Sequence, residues 1–256
     1  MAYATTNPYT GETLKTFPEA TDQEVQQAIT DAYEAFKSWR DVSFADRAKV
    51  MSAAGVILRR DIDKYAKLLT LEMGKLYEEA KLETILSAEI FEYYAKNAEE
   101  LLKPEKLPVA DPKEGEAILI HQPQGIVFAI EPWNFPYYQI ARIIAPQLSA
   151  GNTVLLKHAS NVPQCAAIFD DLMIEAGLPK GAFKNLYAAR HHTAVILNDP
   201  RVCGVALTGS AGAGAIVAST AGQALKKATM ELGGADAFVV LEDADVEKAA
   251  KWAAFG

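Results

Sequence analysis

Cysteine is scarce, with only Cys165 and Cys203 in 256 residues. They form no Cys-x-x-Cys pair and sit in apolar surroundings. That argues against a disulfide framework and predicts a reducing cytosol, with both residues in the core rather than acting as nucleophiles. The four histidines, His121, His158, His191 and His192, fall into no metal-ligand spacing, so no metal is expected. Positive charge is in deficit: 25 Lys and Arg stand against 33 Asp and Glu, a net charge of -8. No basic field would draw nucleic acid or an anionic membrane, although local sites for small anions stay open. No apolar run approaches membrane-spanning length. Residues 1–4 lead straight into polar, turn-forming sequence, so no signal peptide is expected and the chain reads as cytoplasmic.

What is present is an ordinary globular balance, half apolar and 23% charged, with length enough for one large or two ordinary domains. The organising stretch is 125–142, GIVFAIEPWNFPYYQIAR. Residues 126–130 are an apolar run suited to a buried strand. Pro132 and Pro136 break it, because proline lacks a ladder donor and restricts its predecessor. From Tyr137 the pattern turns helical, with Ile140, Ile143, Ile144 and Leu148 on one side. Strand, tight turn and helix present polar groups at the carboxyl end of a sheet. An amide held there by proline-stiffened backbone, as at Asn134, can meet a developing negative oxygen without reorganising. Bonding of Asn134 to neighbouring loop backbone is the competing reading.

Before this stretch, residues 3–17 read as two short strands turning at Asn7-Pro8 and Thr10-Gly11. Thr21 and Glu24 have capping-box spacing and start a helix to about Trp39. Ser43 and Asp46 start a second helix, residues 65–73 form a third ended by Gly74, and 75–102 form a long amphipathic fourth. Residues 104–112 are a proline-broken connection, followed by an alternating strand at 117–122. After Arg142, strands at 153–156, 182–187, 202–207, 228–232 and 238–241 alternate with helices at about 163–176, 193–197 and 210–222. Asp245 caps a last helix. This alternation predicts an α/β fold: a parallel sheet with helices on both faces and a small antiparallel excursion.

Several residues could carry chemistry. Residues 208–214, TGSAGAG, make a glycine-rich turn before a helix, suited to phosphate or simply to close helix–sheet packing. The glycines at 209, 212 and 214 lack the G-x-G-x-x-G spacing. Lys157 ends a strand at the sheet's carboxyl edge. Glu231 lies in an apolar strand directly before two glycines. A desolvated carboxylate there would suit general-base work or a structural hydrogen bond.

Pro132-Trp133-Asn134-Phe135-Pro136, Lys157, Thr208-Gly209-Ser210 and Glu231-Leu232-Gly233-Gly234, in that order, resemble the aldehyde dehydrogenase superfamily over essentially the whole chain. The resemblance implies a Rossmann-like cofactor-binding domain and hydride transfer from a thiohemiacetal to NADP or NAD, with water then hydrolysing a thioester. It makes Asn134 the oxyanion-stabilising amide and Glu231 the base for the deacylating water. Lys157 and Ser160 would contact the adenosine ribose, and Gly209 and Ser210 the pyrophosphate. The backbone of Ile130, Glu131, Pro132 and Trp133, with Leu232 and Gly233, would line the nicotinamide.

The wording Glu-Pro-Trp-Asn-Phe-Pro-Tyr-Tyr-Gln-Ile and Leu-Lys-His-Ala-Ser is similar to bacterial succinate-semialdehyde dehydrogenases. On that resemblance Arg142 would hold the substrate's distal carboxylate. Ser160 stands where many NAD-preferring members carry a glutamate, which implies that NADP is accepted. Residues 1–104 and 124–235 would form the dinucleotide-binding domain, 105–123 a bridging or oligomerisation segment, and 236–256 the start of a catalytic domain. The family's catalytic cysteine motif lies downstream of Glu-Leu-Gly-Gly and is not reached by Gly256. The expectation is therefore the cofactor-binding portion of an aldehyde-oxidising enzyme, homo-oligomeric when complete. A non-catalytic dinucleotide-binding module, or a different aldehyde specificity, is the alternative.

Overall fold

A computed structural model describes residues 3–111, 113 and 115–255 of the chain. Strands β1 (Tyr3–Thr6) and β2 (Thr13–Phe17) form an antiparallel ribbon. Four helices follow: α1 (Asp22–Trp39), α2 (Phe44–Arg60), α3 (Ile62–Met73) and α4 (Tyr77–Leu101). A hairpin of β3 (Glu105–Leu107) and β4 (Ala117–Leu119) comes next. Strands and helices then alternate as β5 (Ile126–Glu131), α5 (Pro136–Ser149), β6 (Thr153–His158), α6 (Pro163–Glu175) and β7 (Phe183–Asn185). The series continues through α7 (His192–Asn198), β8 (Val202–Thr208), α8 (Ala211–Gln223) and β9 (Lys227–Glu231), with α9 (Val246–Phe255) after an irregular segment.

The helix starts follow local chemistry. The Thr21 N–H donates to the Glu24 carboxylate at 2.7 Å while the Glu24 N–H donates to the Thr21 hydroxyl at 3.2 Å. This reciprocal pair satisfies two of the donors that a helix start leaves open. Ser43 accepts from the Asp46 N–H at 3.1 Å to start α2. Gly74, with φ of 82°, closes α3 in a left-handed conformation that glycine adopts without cost to a side chain.

The main sheet is parallel throughout, in the order β7-β6-β5-β8-β9. Side chains of its central strands alternate between two cores. Ala129, Val154 and Leu156 pack with α2 to α6, whereas Ile126, Phe128, Leu155, Val205 and Leu207 pack with residues of α1, α7 and α8. Burial on both faces explains the near-continuous apolar runs of β5 and β6. Successive strands are added leftward from β5 through β6 to β7, then rightward through β8 to β9. That reversal falls between β5 and β8, whose carboxyl ends are the place where open α/β sheets bind their ligands.

Five expectations need correction. Residues 238–241 form no strand: Phe238, Val239, Val240 and Leu241 are exposed and meet no ladder partner among the described residues. β3, read as plain connection, pairs with β4 despite flanking prolines, and β4 stops at Leu119 rather than Gln122. The strand expected over 182–187 is confined to Phe183–Asn185. Lys157 lies within β6, which continues to His158, rather than at its end.

Candidate functional site

The strand order lays the candidate residues along one edge. β6 brings Lys157, paired in register with Ile130, and Ser160 two residues beyond its end. β5 brings Glu131 and the turn of Pro132, Trp133 and Asn134. β8 delivers Thr208, Gly209 and Ser210, and β9 delivers Glu231, in register with Thr208. The Gly209 N–H donates to the Glu231 carbonyl at 2.9 Å, which fastens the glycine turn to the edge strand. Ser210 is the N-cap of α8 and accepts from the Ala213 N–H at 3.3 Å. A Cβ at Gly214 would stand 2.6 Å from Leu232 Cδ2, so glycine there lets Leu232 cross the helix.

The Asn134 turn is held from beneath. Phe135 occupies the N-cap position of α5 without a side-chain cap. The orphan donors of Tyr137 and Tyr138 are met instead by Glu83 of α4, whose Oε1 accepts from them at 2.8 and 3.2 Å. The other oxygen of Glu83 holds Lys75, and both side chains are buried. Lys75 Nζ also lies 3.5 Å from the centroid of the Phe135 ring, a cation–π contact. His158 adds a further tie. Its Nδ1 accepts from the Ala159 N–H at 2.8 Å, so Nε2 carries the proton and donates to the Pro136 carbonyl at 3.0 Å. Burial pushes His158 down to about 4, against the Pro136 bond and with help from the Lys157 charge, and keeps the ring neutral. Above this scaffold Trp133 and Asn134 are exposed.

Glu231 is also exposed, contrary to the expected partial burial, because β9 is the outermost strand and pairs on one side only. The buried strand-end carboxyl is Glu131, on the central strand and only 2% exposed. Neither of its oxygens has a hydrogen-bond partner, and the same holds for Arg142 Nε. Burial pushes Glu131 up to about 8, so it is protonated at neutral pH. Thr208 and Arg142 pull the other way, through a hydroxyl and a guanidinium that stand near without forming a hydrogen bond of normal geometry or an ion pair with it. Arg142 Nη2 donates to the Thr208 hydroxyl at 2.6 Å, which links α5 to the end of β8. The sequence reading used Glu131 only for its backbone and overlooked Glu83 and His158. A lone Glu closing an apolar strand was a signal for Glu131; nothing local marked Glu83.

Neither cysteine is exposed at this edge. Cys165, in the first turn of α6, is fully buried, and burial raises its thiol well above the usual range. Cys203 Sγ donates to the Ile126 carbonyl at 3.2 Å at the opposite end of the sheet, and burial raises it too. Asp22, His191 and His192 come together although their spacing gave no sign of it. His192 Nδ1 accepts from the Ala189 N–H at 3.0 Å and its Nε2 meets Asp22 at 2.9 Å, so both ring nitrogens are already engaged. A groove of about 950 Å³ runs between α1, α6 and β7, past Thr21, Asp31, Asp170 and Lys184. It lacks the glycine turn and the switch-point geometry, so its volume does not make it the dinucleotide site.

A parallel sheet whose strand order reverses between β5 and β8, a glycine turn opening α8 and polar groups along the carboxyl edge are the features of a Rossmann-like α/β fold. The chain belongs to the aldehyde dehydrogenase family, whose model matches residues 1–256. It is 44% identical over 254 residues to a Deinococcus radiodurans protein named succinate-semialdehyde dehydrogenase [NADP(+)], covering 99% of this chain and 53% of that protein. A Mycobacterium bovis protein named succinate-semialdehyde dehydrogenase [NADP(+)] 1 is 45% identical over 256 residues, 100% of this chain and 56% of the relative. A solved structure of succinic semialdehyde dehydrogenase from Streptococcus pyogenes with NADP+ superimposes with a TM-score of 0.94 at 44% identity, over 98% of this chain and 55% of that one. The chain thus spans about half the length of the relatives it matches.

Two outcomes are expected. Folding holds Glu131 protonated up to about pH 8, whereas in the unfolded chain it ionises near 4.5. Stability from this group is therefore fully present below 4.5 and is lost as pH rises to about 8, at up to about 1.4 kcal/mol per unit. Glu131→Gln should be more stable than the parent at pH 8 and lose that advantage toward pH 4.5, as read by urea midpoints. Glu83→Gln strands Lys75 as a buried unpaired charge, at a cost of roughly 3–5 kcal/mol. Adding Lys75→Met should recover most of that loss in the same assay, since the stranded charge is removed.

Proposed function

We propose that the chain is the dinucleotide-binding part of an enzyme that oxidises succinic semialdehyde to succinate with NADP or NAD as hydride acceptor. The observation that carries this reading is the shared carboxyl edge of Lys157, Ser160, Asn134, Gly209, Ser210 and Glu231 at the switch point. The names of the relatives support the substrate and favour NADP. The residues fit a dinucleotide on this structure's own terms. A Cβ at Gly212 would meet nothing within 4 Å, so the turn leaves open space over the start of α8. The Ala211 and Gly212 N–H groups lie at N-terminal helix positions that lack an intrahelical acceptor and favour phosphate. Ser160 does not cap α6, whose N-cap is Val162, which leaves its hydroxyl for the ribose.

When bound, the nicotinamide accepts hydride. The chain's own residues would orient and stabilise. Asn134, on a turn fixed by Glu83, Lys75 and His158, would donate its amide N–H to the oxyanion. Glu231, exposed at the edge, would take a proton from the attacking water. Arg142, with an unpartnered Nε and one nitrogen fixed on Thr208, would pair with the distal carboxylate. The backbone of Ile130, Glu131, Pro132, Trp133, Leu232 and Gly233 would line the nicotinamide. The nucleophilic thiol is neither Cys165, which is buried, nor Cys203, which is half-buried in a strand, since burial favours the protonated form of both. That burial also favours a second reading, a dinucleotide-binding module without chemistry of its own.

The rest of the assignment follows from the same reading. Residues 1–104 and 124–235 form the dinucleotide domain, the β3–β4 segment within 105–123 bridges subunits of a homo-oligomer, and 236–256 belongs with a catalytic domain. The partner is a small aldehyde, with neither nucleic acid nor membrane, and the setting is cytoplasmic. No described helix is long and apolar enough to cross a membrane. Calorimetric titration at one fixed salt concentration should give saturable binding of NADP at least as tight as NAD. Adding succinic semialdehyde to the NADP complex should yield no NADPH. Absence of binding by either dinucleotide would overturn the cofactor reading, and turnover would overturn the assignment of the thiols.

A further inference from the structure

At the corner between α1 and α2 lies a cavity of about 270 Å³ lined by Arg40, Ser43, Arg47, His121 and Gln122. That is far above the roughly 10–15 Å³ that one water needs, so an anion of phosphate size fits. No aspartate or glutamate lines it, although the chain carries a net charge of -8. Arg47 is only 5% exposed and forms no ion pair among the described residues. Its guanidinium donates to the Val42 carbonyl at 2.6 Å and lies 4.5 Å from the centre of the Phe44 ring. Its Nε has no hydrogen-bond partner. Burial lowers the basicity of Arg47, and no carboxylate acts in the opposite sense. A buried charge without a counter-ion is costly, and an anion that reaches it offsets the cost. The end of α5, at Ala150, offers only partial negative charge. Arg40 is exposed, and its ion pair with Asp41, at 3.8 Å, is too long for a hydrogen bond.

We propose that this cavity binds a small free oxyanion, a phosphate or a short carboxylate, held by the guanidinium forks of Arg40 and Arg47 with His121 and Gln122 beside them. A planar fork offers parallel donors to two oxygens of either anion, which is the chemistry the two share. Leu102, just before β3, and Pro123, just after β4, also line the cavity. The anion would therefore tie the root of the β3–β4 hairpin to the corner between α1 and α2. Pro123 precedes β5 and Ala150 precedes β6, so the site lies by the amino ends of these strands. It is separate from the carboxyl edge and does not rest on the cofactor reading.

The test titrates the 256-residue chain with inorganic phosphate and with malonate by calorimetry at low, fixed salt, and maps the site by amide hydrogen exchange. At least one of the two anions should bind saturably and slow exchange at residues 121–124. Arg40→Gln should weaken that binding about tenfold, the loss of one charge-assisted contact. Arg59→Gln makes the same charge change at the other end of α2 and should leave the affinity within about twofold. Arg40 and Arg59 are both exposed, and circular dichroism checks that the variants are folded. Absence of saturable binding by either anion would overturn the proposal. Slowed exchange at 209–213 alone would put the anion at the glycine turn and overturn it as well. Equal weakening by Arg40→Gln and Arg59→Gln would reduce the effect to net charge, against a built site. Self-association in anion-free buffer that Arg40→Gln weakens would make a carboxylate of a second copy the occupant and overturn the free anion.

Discussion

The carboxylate of Glu83 is the interaction on which the site depends. A helix start leaves backbone N–H groups without partners, and a buried one must find them elsewhere in the fold. α5 begins at a proline that follows Phe135, so no cap of the usual kind is available. Glu83 supplies the acceptor from another helix and shares its charge with Lys75, whose ammonium rests on the Phe135 ring. Removing one partner of such a set leaves the other buried and uncompensated, which is far more costly than the pair is favourable. The turn carrying Asn134 is therefore fixed by charge as well as by its two prolines.

The carboxyl edge has a second logic, set by position in the sheet. Glu131 ends a strand flanked on both sides, whereas Glu231 ends the outermost strand on the β8 side. Glu131 on β5 is consequently a neutral acid, while Glu231 on β9 faces water. Arg142 lies near the neutral acid without pairing to it, so its guanidinium is not cancelled by the protein around neutral pH. On the other side of β5, Lys157 is half-buried, and burial lowers its ammonium.

Much of the scaffold was legible because its causes are local. The Thr21–Glu24 box, the Ser43 cap and the Gly74 stop are each contained within a few residues, and all three appear where the spacing puts them. The buried strands announced themselves as apolar runs, and alternation with helices fixed a parallel sheet. What was not legible depends on contacts distant in sequence. Glu83 meets Tyr137 across 54 positions, and no pattern within α4 separates it from the other glutamates of that helix. Burial of Glu131 rather than Glu231 follows from strand order, which the residues flanking either one do not encode. β3 is three residues between prolines, too short to show alternation, and exists because β4 pairs with it. At 238–241 the composition of a strand was present without the partner that a strand requires. For the candidate site, the sequence supplied the residues, and the strand order shows that they share one edge; their roles rest on the family resemblance.

The account's central claim is that a dinucleotide lies across the switch point, over the start of α8 and against the end of β6. A crystal structure of the 256-residue chain with NADP addresses it most directly. The pyrophosphate is expected over Gly209 and Ser210 and the adenosine ribose beside Lys157 and Ser160. NADP seated instead in the groove between α1, α6 and β7 would contradict it.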